Sequence, residues 1–498
     1  MFDGKLKGLT LGLFVLGLVC LVLTYATDSE YHHAIFWSNL LHNTVFFTGI
    51  SFAALFFICV HTLGWGGWHT VFRRVPEAMM MYMPVGAVLV LLIGAGVMMD
   101  APGTEMLYMW ADEGLVKTDK LLQHKSPFLN PMVYLLTVLV IGIWAFFASV
   151  IRKISNQQDT YDNEGKDAKH LFKLRFWAAI FLPIAGFSSA FAIWQWVMSV
   201  DAHWYSTLFA WYASVSLWVS SVSLMLLLIV FLQSRGHMTG FSKEHMHDLG
   251  KYIFGFSVFW TYLWFSQFML IWYANNGEET QYFFLRFEQF KPIFFLNILI
   301  NFLVPFFTLM MNSSKRTLGT VGFIAGLVIF GHWLDFYQMI KPGVWHNIEH
   351  HMHAGHDHSH SSNYTSPEEN GGGKAVLTYY TGADSLNTQA DSTHTHAAGD
   401  STHTHATDST QHGTTAPATP ENHDGHNHGD KGHAEAGHDA HAHGHSTVMG
   451  IHFPGLLELG TMLGFLGLFL FVTFSFLAKS SLLPKNDPFL EESEHHHI

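Results

Sequence analysis

The sequence predicts an all-α, polytopic integral membrane protein with ten transmembrane helices. Only 13% of its 498 residues are charged while 49% are hydrophobic, and soluble domains carry about 25% charged residues. Apolar runs recur along the chain, including residues 9–25 and 44–63, and a helix needs about 20 such residues to cross a bilayer. These two observations place the chain among helical membrane proteins.

The apolar runs define ten spans. They cover about residues 6–25, 43–63, 77–99, 132–150, 174–198, 208–232, 250–273, 292–311, 318–340 and 453–478. The first run is longer than the core of a signal peptide, so we expect it to remain as an uncleaved span.

The basic residues test this count independently. With a cytoplasmic N-terminus, 17 of the 25 Lys and Arg residues fall on the cytoplasmic side and 8 on the other. This distribution agrees with the positive-inside rule, and an odd number of spans would break it. Both termini are therefore predicted to be cytoplasmic.

Three regions follow along the chain. Residues 1–345 hold spans 1 to 9, residues 346–447 form a His-rich loop, and residues 448–498 hold span 10 and a cytoplasmic tail. Twenty of the 36 histidines lie between His346 and His445. The loop is poor in aliphatic residues, so we expect it to be periplasmic and largely disordered.

The loop also offers imidazoles to metal ions. Alternating histidines, such as His356, His358 and His360, suit weak binding of Zn²⁺, Ni²⁺ or Cu²⁺. The alternative is a hydrophilic spacer that has no defined metal site.

The shortest connection between long apolar segments is the corner at residues 199–207. It places Asp201 and His203 among aromatic residues that favour a membrane–water boundary, such as Trp204 and Tyr212. One interpretation is a functional polar site, and the other is a helix–helix corner with an interfacial aromatic belt.

Ionisable groups inside a membrane are costly and therefore mark candidate functional residues. His332 and Asp335 are spaced i,i+3, so they share one face of span 9 and could hold and pass a proton. The alternative is a hydrogen-bonded pair that locks two helices together.

All the candidates for a proton path lie toward the predicted outer side. They are His42, Asp100, Asp201, His203, Gln267, His332, Asp335 and Glu458. The middle of the spans offers mostly Ser, Thr, Tyr and Trp. The sequence therefore favours a half-channel over a complete proton wire.

No bound cofactor is predicted for this chain. The only cysteines, Cys20 and Cys59, form no CxxC or CxxCH pattern, which excludes a thiolate cluster and a covalently attached haem. His61 lies toward the inner side, while His42 and His332 lie toward the outer side, so their depths do not match for bis-His haem ligation. The acidic net charge of -13 lies mainly in loops, and we expect no nucleic-acid partner.

Three motifs together resemble a known family. They are WQWVMSVDAHWYSTLFAWY at 194–212, FSQFMLIWYANNGEET at 265–280 and HWLDFY at 332–337. They resemble the second large (ActF-type) membrane subunit of bacterial alternative complex III, within the NrfD-like, polysulfide-reductase-type membrane proteins. The resemblance covers about residues 1–345 and 450–480 and leaves out the His-rich loop.

This resemblance implies two four-helix bundles, formed by spans 2–5 and 6–9, with spans 1 and 10 beside them. It implies a place in the bacterial cytoplasmic membrane, in a complex that oxidises menaquinol and passes electrons to cytochrome c or to a terminal oxidase. Haem c and iron–sulfur clusters would lie in partner subunits: an iron–sulfur protein, multihaem and monohaem cytochromes c, and a second NrfD-like subunit. Subunits of this type are labelled quinone-binding by homology and proposed to carry part of a proton path, so the outer-side candidates are also quinone-site candidates. Membrane lipids are the remaining expected partners.

Two other functions remain open. The chain could be a purely structural anchor for redox subunits, in which satisfied polar pairs would look the same. It could also be a metal-cation transporter that collects ions on the His-rich loop. Such a transporter should carry several carboxylates or histidines at mid-depth, and the sequence places none there.

Overall fold

A computed structural model describes residues 3–161, 168–238, 240–360 and 453–496. In this part of the chain the structure is helical and contains no β-strand. Ten helices are long and apolar enough to cross a membrane. The predicted all-α class and the ten spans are thereby confirmed.

Spans 1 to 10 are numbered in chain order. They are Gly4–Thr27, Ala34–Leu63, Thr70–Met98, Pro131–Thr160, Lys169–Val200, Thr207–Ser234, Lys243–Ala274, Lys291–Leu309, Leu318–Met352 and Leu456–Leu477. Short helices lie between them: Thr104–Leu107, Glu113–Thr118, Lys120–Lys125, Gly277–Glu288 and Asn312–Lys315, with Leu490–Glu494 in the tail.

Several spans are longer than predicted, and spans 2 and 4 show the physical reason. Span 2 begins at Ala34 rather than near residue 43, and span 4 continues to Thr160 rather than ending near residue 150. The added turns contain polar residues such as Asn39 and Arg152, which hydropathy assigns to loops. Both are buried against other spans, so protein partners replace the water that the prediction assumed.

The helix of span 9 continues beyond the membrane-length segment, to His360. It therefore runs past residue 345, where the His-rich loop was predicted to begin. The rest of that loop, residues 361–447, lies outside the described residues.

The contacts between spans run in two rings. Spans 2, 3, 4 and 5 contact one another in sequence, and span 5 returns to span 2; spans 6 to 9 repeat this pattern. Spans 2, 6 and 9 join the rings, and span 1 packs mainly on span 10. The grouping into two four-helix bundles stays a prediction, and these contacts support it.

The span assembly has two ends, the corner end and the arginine end. The corner end carries the turn at residues 199–206 and the connections at 28–33 and 100–130. The arginine end carries Arg73 and Arg74 together with the tail at residues 478–496. Hydrogen bonds join the segments within each end, such as Trp37 to the Pro102 carbonyl at the corner end and Val71 to Ser493 at the arginine end.

Candidate functional site

The candidate site centres on Asp335, which lies on span 9 and is 1% exposed. Its carboxylate accepts hydrogen bonds from the Tyr212 hydroxyl, from the Ser216 hydroxyl at 3.0 Å and from the Trp260 indole N–H at 2.9 Å. Tyr212 and Ser216 lie on span 6 and Trp260 lies on span 7. Three donors from two neighbouring helices thus replace water around the carboxylate.

Ser216 connects Asp335 to His332. The His332 Nδ1 atom lies 2.9 Å from the Ser216 Oγ atom and 3.9 Å from an Asp335 carboxylate oxygen. Ser216 has one hydroxyl proton, so when it donates to Asp335 it can only accept from a protonated Nδ1 of His332. His332, Ser216 and Asp335 therefore form a chain along which a proton can move. Together with Tyr212 and Trp260 they are called the Asp335 cluster below.

A small cavity lies between the Asp335 cluster and the corner end. Its volume is about 20 Å³, which is enough for roughly one water molecule. Tyr212, Gln267, Arg286 and Gln338 contribute to its lining, and the buried Nε2 atom of Gln338 has no hydrogen-bond partner within the described residues. Tyr212 contacts both Asp335 and this cavity, so it links the two.

Arg286 lines this cavity and connects it to the corner end. It lies on the short helix Gly277–Glu288 and is 2% exposed. Its Nη2 group donates to an Asp201 carboxylate oxygen at 3.0 Å, and its Nε group donates to the Gln338 carbonyl at 3.1 Å. That carbonyl is available because Pro342, four residues further along the helix, has no N–H group. Asp201 is thereby tied to span 9.

A second cavity, of about 40 Å³, opens on the other side of this ion pair. Asp201, His203, His346 and Tyr282 contribute to its lining, and Tyr282 lines the first cavity as well. The two cavities are therefore neighbours that share an aromatic wall.

The second cavity reaches the surface at a hydrogen-bonded pair of side chains, His203 and Asp119. The His203 Nε2 atom lies 2.6 Å from an Asp119 carboxylate oxygen, with side chains that are 42% and 30% exposed. Burial alone would raise the pKa of Asp119, but the hydrogen bonds with His203 and with the N–H groups of Leu122 and Leu121 outweigh it, so the pKa is lowered. This pair keeps a carboxylate ionised at the mouth.

These groups form one polar line, called the corner path below. It runs from Asp119 and His203 through Asp201 and Arg286 to Tyr212, and so to Asp335. The structure thus brings together four predicted candidates, Asp201, His203, His332 and Asp335, and places Gln267 on the wall of the inner cavity. Two cavities interrupt the direct contacts, and each has room for only one or a few water molecules.

A second buried polar group lies on the other side of span 9. Lys341 is buried, and its ammonium group donates to the Ser38 hydroxyl at 2.7 Å and to the Asn39 side-chain oxygen at 2.5 Å. Within the described residues no carboxylate lies within 4.0 Å of this ammonium group. His42, one helical turn further along span 2, binds the Trp333 carbonyl through Nε2 at 3.0 Å. The candidate His42 therefore belongs with Lys341 and not with the Asp335 cluster.

Two predicted candidates are not brought to either group. Asp100 is exposed and occupies a turn with a φ of 47°. Glu458 accepts a hydrogen bond from the Gly455 N–H at 3.0 Å and so caps the start of span 10.

The weak metal-site candidates His356, His358 and His360 continue the helix of span 9 in their backbone, and their side chains lie outside the described residues. Among the described side chains, no group of three or more His, Cys, Asp or Glu residues is arranged to hold a metal ion. His61 lies at the arginine end, where its Nε2 atom is 2.8 Å from the Tyr252 hydroxyl.

The arginine end is held by a buried ion-pair network that the sequence analysis did not identify. Glu77 lies 3.2 Å from Arg73 and 2.7 Å from Arg74. Arg73 also pairs with Asp487 of the tail, and Arg74 pairs with Asp159 of span 4. The tail thus closes this end of the protein.

Lys125, Arg286 and Lys341 were also missed as functional residues, although a signal was present. All three are basic residues on the predicted outer side, where the positive-inside rule leaves few. Lys125 binds the Ala202 carbonyl at 2.8 Å, so each of the three holds a part of the corner end in place.

The chain was also compared with known proteins. No protein-family model matches it, and no curated protein matches it either.

Proposed function

We propose that this chain is a haem-free membrane subunit of a quinol-oxidising respiratory complex of the alternative complex III type, and that it holds a proton half-channel. The half-channel leads from the corner end to Asp335. The corner path is the observation on which this proposal depends.

Quinol oxidation releases protons along with electrons, and protons formed within a membrane need a polar route to water. The corner path supplies titratable groups at both ends, a surface Asp–His pair and a buried Asp–His pair. Between them lie a tyrosine hydroxyl and two water-sized cavities. A proton can move along such a line in short steps, because each donor is close to an acceptor or to a cavity large enough for a water molecule.

The path supports a half-channel rather than a complete wire. Beyond Asp335, hydroxyls on span 6 donate to backbone carbonyls: Ser220 to Ser216 at 2.8 Å and Ser221 to Ile50 at 3.0 Å. Hydroxyls in such bonds are not titratable at physiological pH. By the predicted orientation, the half-channel opens on the outer side, where the complex would release protons.

A structural anchor is the second candidate, and one observation favours it. The three donors around Asp335 satisfy its carboxylate within the protein, as they would if the cluster only fastened spans 6, 7 and 9 together. The two functions differ in whether removing the charge of Asp335 changes proton movement in a complex that is still assembled. Metal transport has no comparable observation in its favour.

Membership of a respiratory complex can be tested by purifying the chain from its native membranes in a mild detergent. We expect c-type haem in the reduced-minus-oxidised visible spectrum, and an iron–sulfur protein among the copurified subunits by mass spectrometry. A colourless chain that purifies alone would overturn the proposal.

The role of the Asp335 cluster can be tested in the same preparation. Asp335→Asn and His332→Asn should slow menaquinol oxidation while the haem content of the complex stays normal. Asp100→Asn is a matched control, because it removes an exposed carboxylate that lies outside the corner path. Normal turnover in both cluster variants would leave only the anchor function.

A further inference from the structure

Outside the corner path, the most informative surface is one face of span 4. Six of its residues, which recur over successive helical turns, line a groove of about 490 Å³ near the arginine end, together with Met81 of span 3. They are Ser149, Arg152, Lys153, Asn156, Gln157 and Thr160. Counted from one helical turn to the next, these residues are three or four apart, which puts them on a single face of the helix, so span 4 gives the groove a polar wall.

The same face of span 4 is apolar nearer the corner end. Leu139 is 63% exposed and Phe146 is 53% exposed. Between them, a Cβ atom at Gly142 would have no neighbour within 4 Å. An open hydrocarbon stripe therefore runs directly into the polar groove.

Two basic side chains, Arg152 and Lys153, bring positive charge to the groove. Arg152 is buried, but its guanidinium donates to the carbonyls of Glu77 at 3.0 Å and Phe476 at 2.7 Å. Within the described residues no carboxylate lies within 4.0 Å of Arg152 or of the exposed Lys153. The Arg152 guanidinium is thus held by hydrogen bonds to neutral groups, and the Glu77 carboxylate attracts it only from beyond 4.0 Å.

Asn156 adds a neutral donor. Its side-chain oxygen accepts a hydrogen bond from Arg74 at 2.9 Å, which leaves its amide N–H groups available to a ligand. A lysine, a fixed arginine and amide donors are groups that bind phosphate oxygens.

We propose that this groove binds the phosphodiester headgroup of an anionic phospholipid, with an acyl chain lying on the Leu139–Phe146 stripe. Inorganic phosphate offers the same charge, but it would leave the hydrocarbon stripe uncovered. Basic pockets at the cytoplasmic ends of transmembrane helices bind lipid headgroups in this way, and the predicted orientation puts the groove on that side. The site is independent of the corner path and of the proposed proton half-channel.

The experiment uses the full-length chain, purified in mild detergent and returned to nanodiscs that contain phosphatidylglycerol and phosphatidylcholine. Native mass spectrometry then counts the phospholipids that remain bound. We expect Lys153→Gln to reduce the preference for phosphatidylglycerol about fivefold, since one basic residue near an anionic surface contributes about 1 kcal/mol. Lys153→Arg should keep the preference.

Lys251→Gln is the matched control. Lys251 lies at the same end of the protein and borders a groove of about 360 Å³, but it is paired with Asp248 at 2.9 Å. Its replacement should leave phosphatidylglycerol binding unchanged. An equal loss in both Gln variants, or no loss in Lys153→Gln, would overturn the proposal.

A third experiment distinguishes a phospholipid headgroup from inorganic phosphate as the ligand. Inorganic phosphate, added in excess, should neither displace phosphatidylglycerol nor bind differently to the wild type and to Lys153→Gln. Displacement of the lipid by phosphate would overturn the lipid assignment.

Discussion

Asp335 illustrates how a carboxylate is accommodated inside an apolar helix assembly. An ionised carboxylate taken from water loses several kcal/mol of solvation unless donors replace the water. Tyr212, Ser216 and Trp260 supply those donors. The i,i+3 spacing could predict the pairing with His332 but not these partners, which lie 75 to 123 residues away along the chain.

The ion pair between Arg286 and Asp201 gives a residue-level prediction about stability. Arg286→Met should destabilise the protein by about 1–3 kcal/mol, because it leaves the Asp201 carboxylate, which is 10% exposed, without its ion-pair partner. Thermal unfolding of the purified chain in detergent measures this loss.

The double variant Arg286→Met with Asp201→Asn is the control for that loss. It removes the unpaired charge along with its partner, so we expect it to recover more than half of the stability. If Arg286→Met alone stays within about 0.5 kcal/mol of the wild type, as neutral surface changes do, the pair does not hold the corner.

The pair of Asp119 and His203 predicts a pH dependence. The pKa of Asp119 is lowered in the folded protein from its ordinary value of 3.8, so ionised Asp119 stabilises the fold. This contribution is complete above that value and is lost as the pH falls through the lowered pKa. Asp119→Asn should therefore unfold at a lower temperature than the wild type at neutral pH. The difference should shrink toward zero in acid, and a difference that grows in acid would contradict the assignment.

At the level of helices, span 9 makes different polar contacts on two of its faces. His332 and Asp335 face spans 6 and 7, while Trp333 and Lys341 face span 2. The apolar run predicted an end near residue 340, and Pro342 lies just beyond it. The helix nevertheless continues past Pro342. Pro342 has no N–H group to donate to the Gln338 carbonyl, and Arg286 donates to that carbonyl instead.

The packing of span 1 on span 10 gives a prediction at this level. A Cβ atom at Gly464 would lie 2.3 Å from the Gly17 Cα atom, so the two helices touch backbone to backbone, as small residues allow in membranes. Gly464→Ala should destabilise the protein by about 1–3 kcal/mol through overpacking, measured by thermal unfolding in detergent.

Gly12→Ala is the matched control, because a Cβ atom there meets nothing within 4 Å. It should unfold like the wild type. Equal unfolding temperatures for the two variants would show that spans 1 and 10 do not pack as described.

At the scale of the whole molecule, the tail contributes Asp487, which forms an ion pair with the buried Arg73. Asp487→Ala should destabilise the protein by about 1–3 kcal/mol, since the buried Arg73 loses a charged hydrogen-bond partner but keeps its ion pair with Glu77. Lys485→Gln removes an exposed charge from the same tail and should change little. A comparison of the two unfolding temperatures decides whether the tail closes the arginine end.

The sequence was sufficient for the global architecture, because the number of spans depends on hydropathy and on the side that basic residues prefer. It was also sufficient to place Asp201 and His203 together in the corner between spans 5 and 6. It could not show that Arg286 joins the corner to span 9 or that Lys341 is buried, since both contacts depend on how distant helices pack. Polar turns that are buried by protein, as at Asn39, were assigned to loops for the same reason.

The proposed half-channel can be tested by measuring the rate at which the proposed complex, reconstituted in vesicles, releases protons during menaquinol oxidation, with a pH indicator on the corner side. In an Asp335→Asn complex that assembles with its normal haem content, we expect proton release to slow about tenfold or more. A tenfold slowing corresponds to about 1.4 kcal/mol of added activation free energy. Asp100→Asn should release protons like the wild type. Unchanged proton release in assembled Asp335→Asn would contradict the half-channel and leave Asp335 as a fastening between helices.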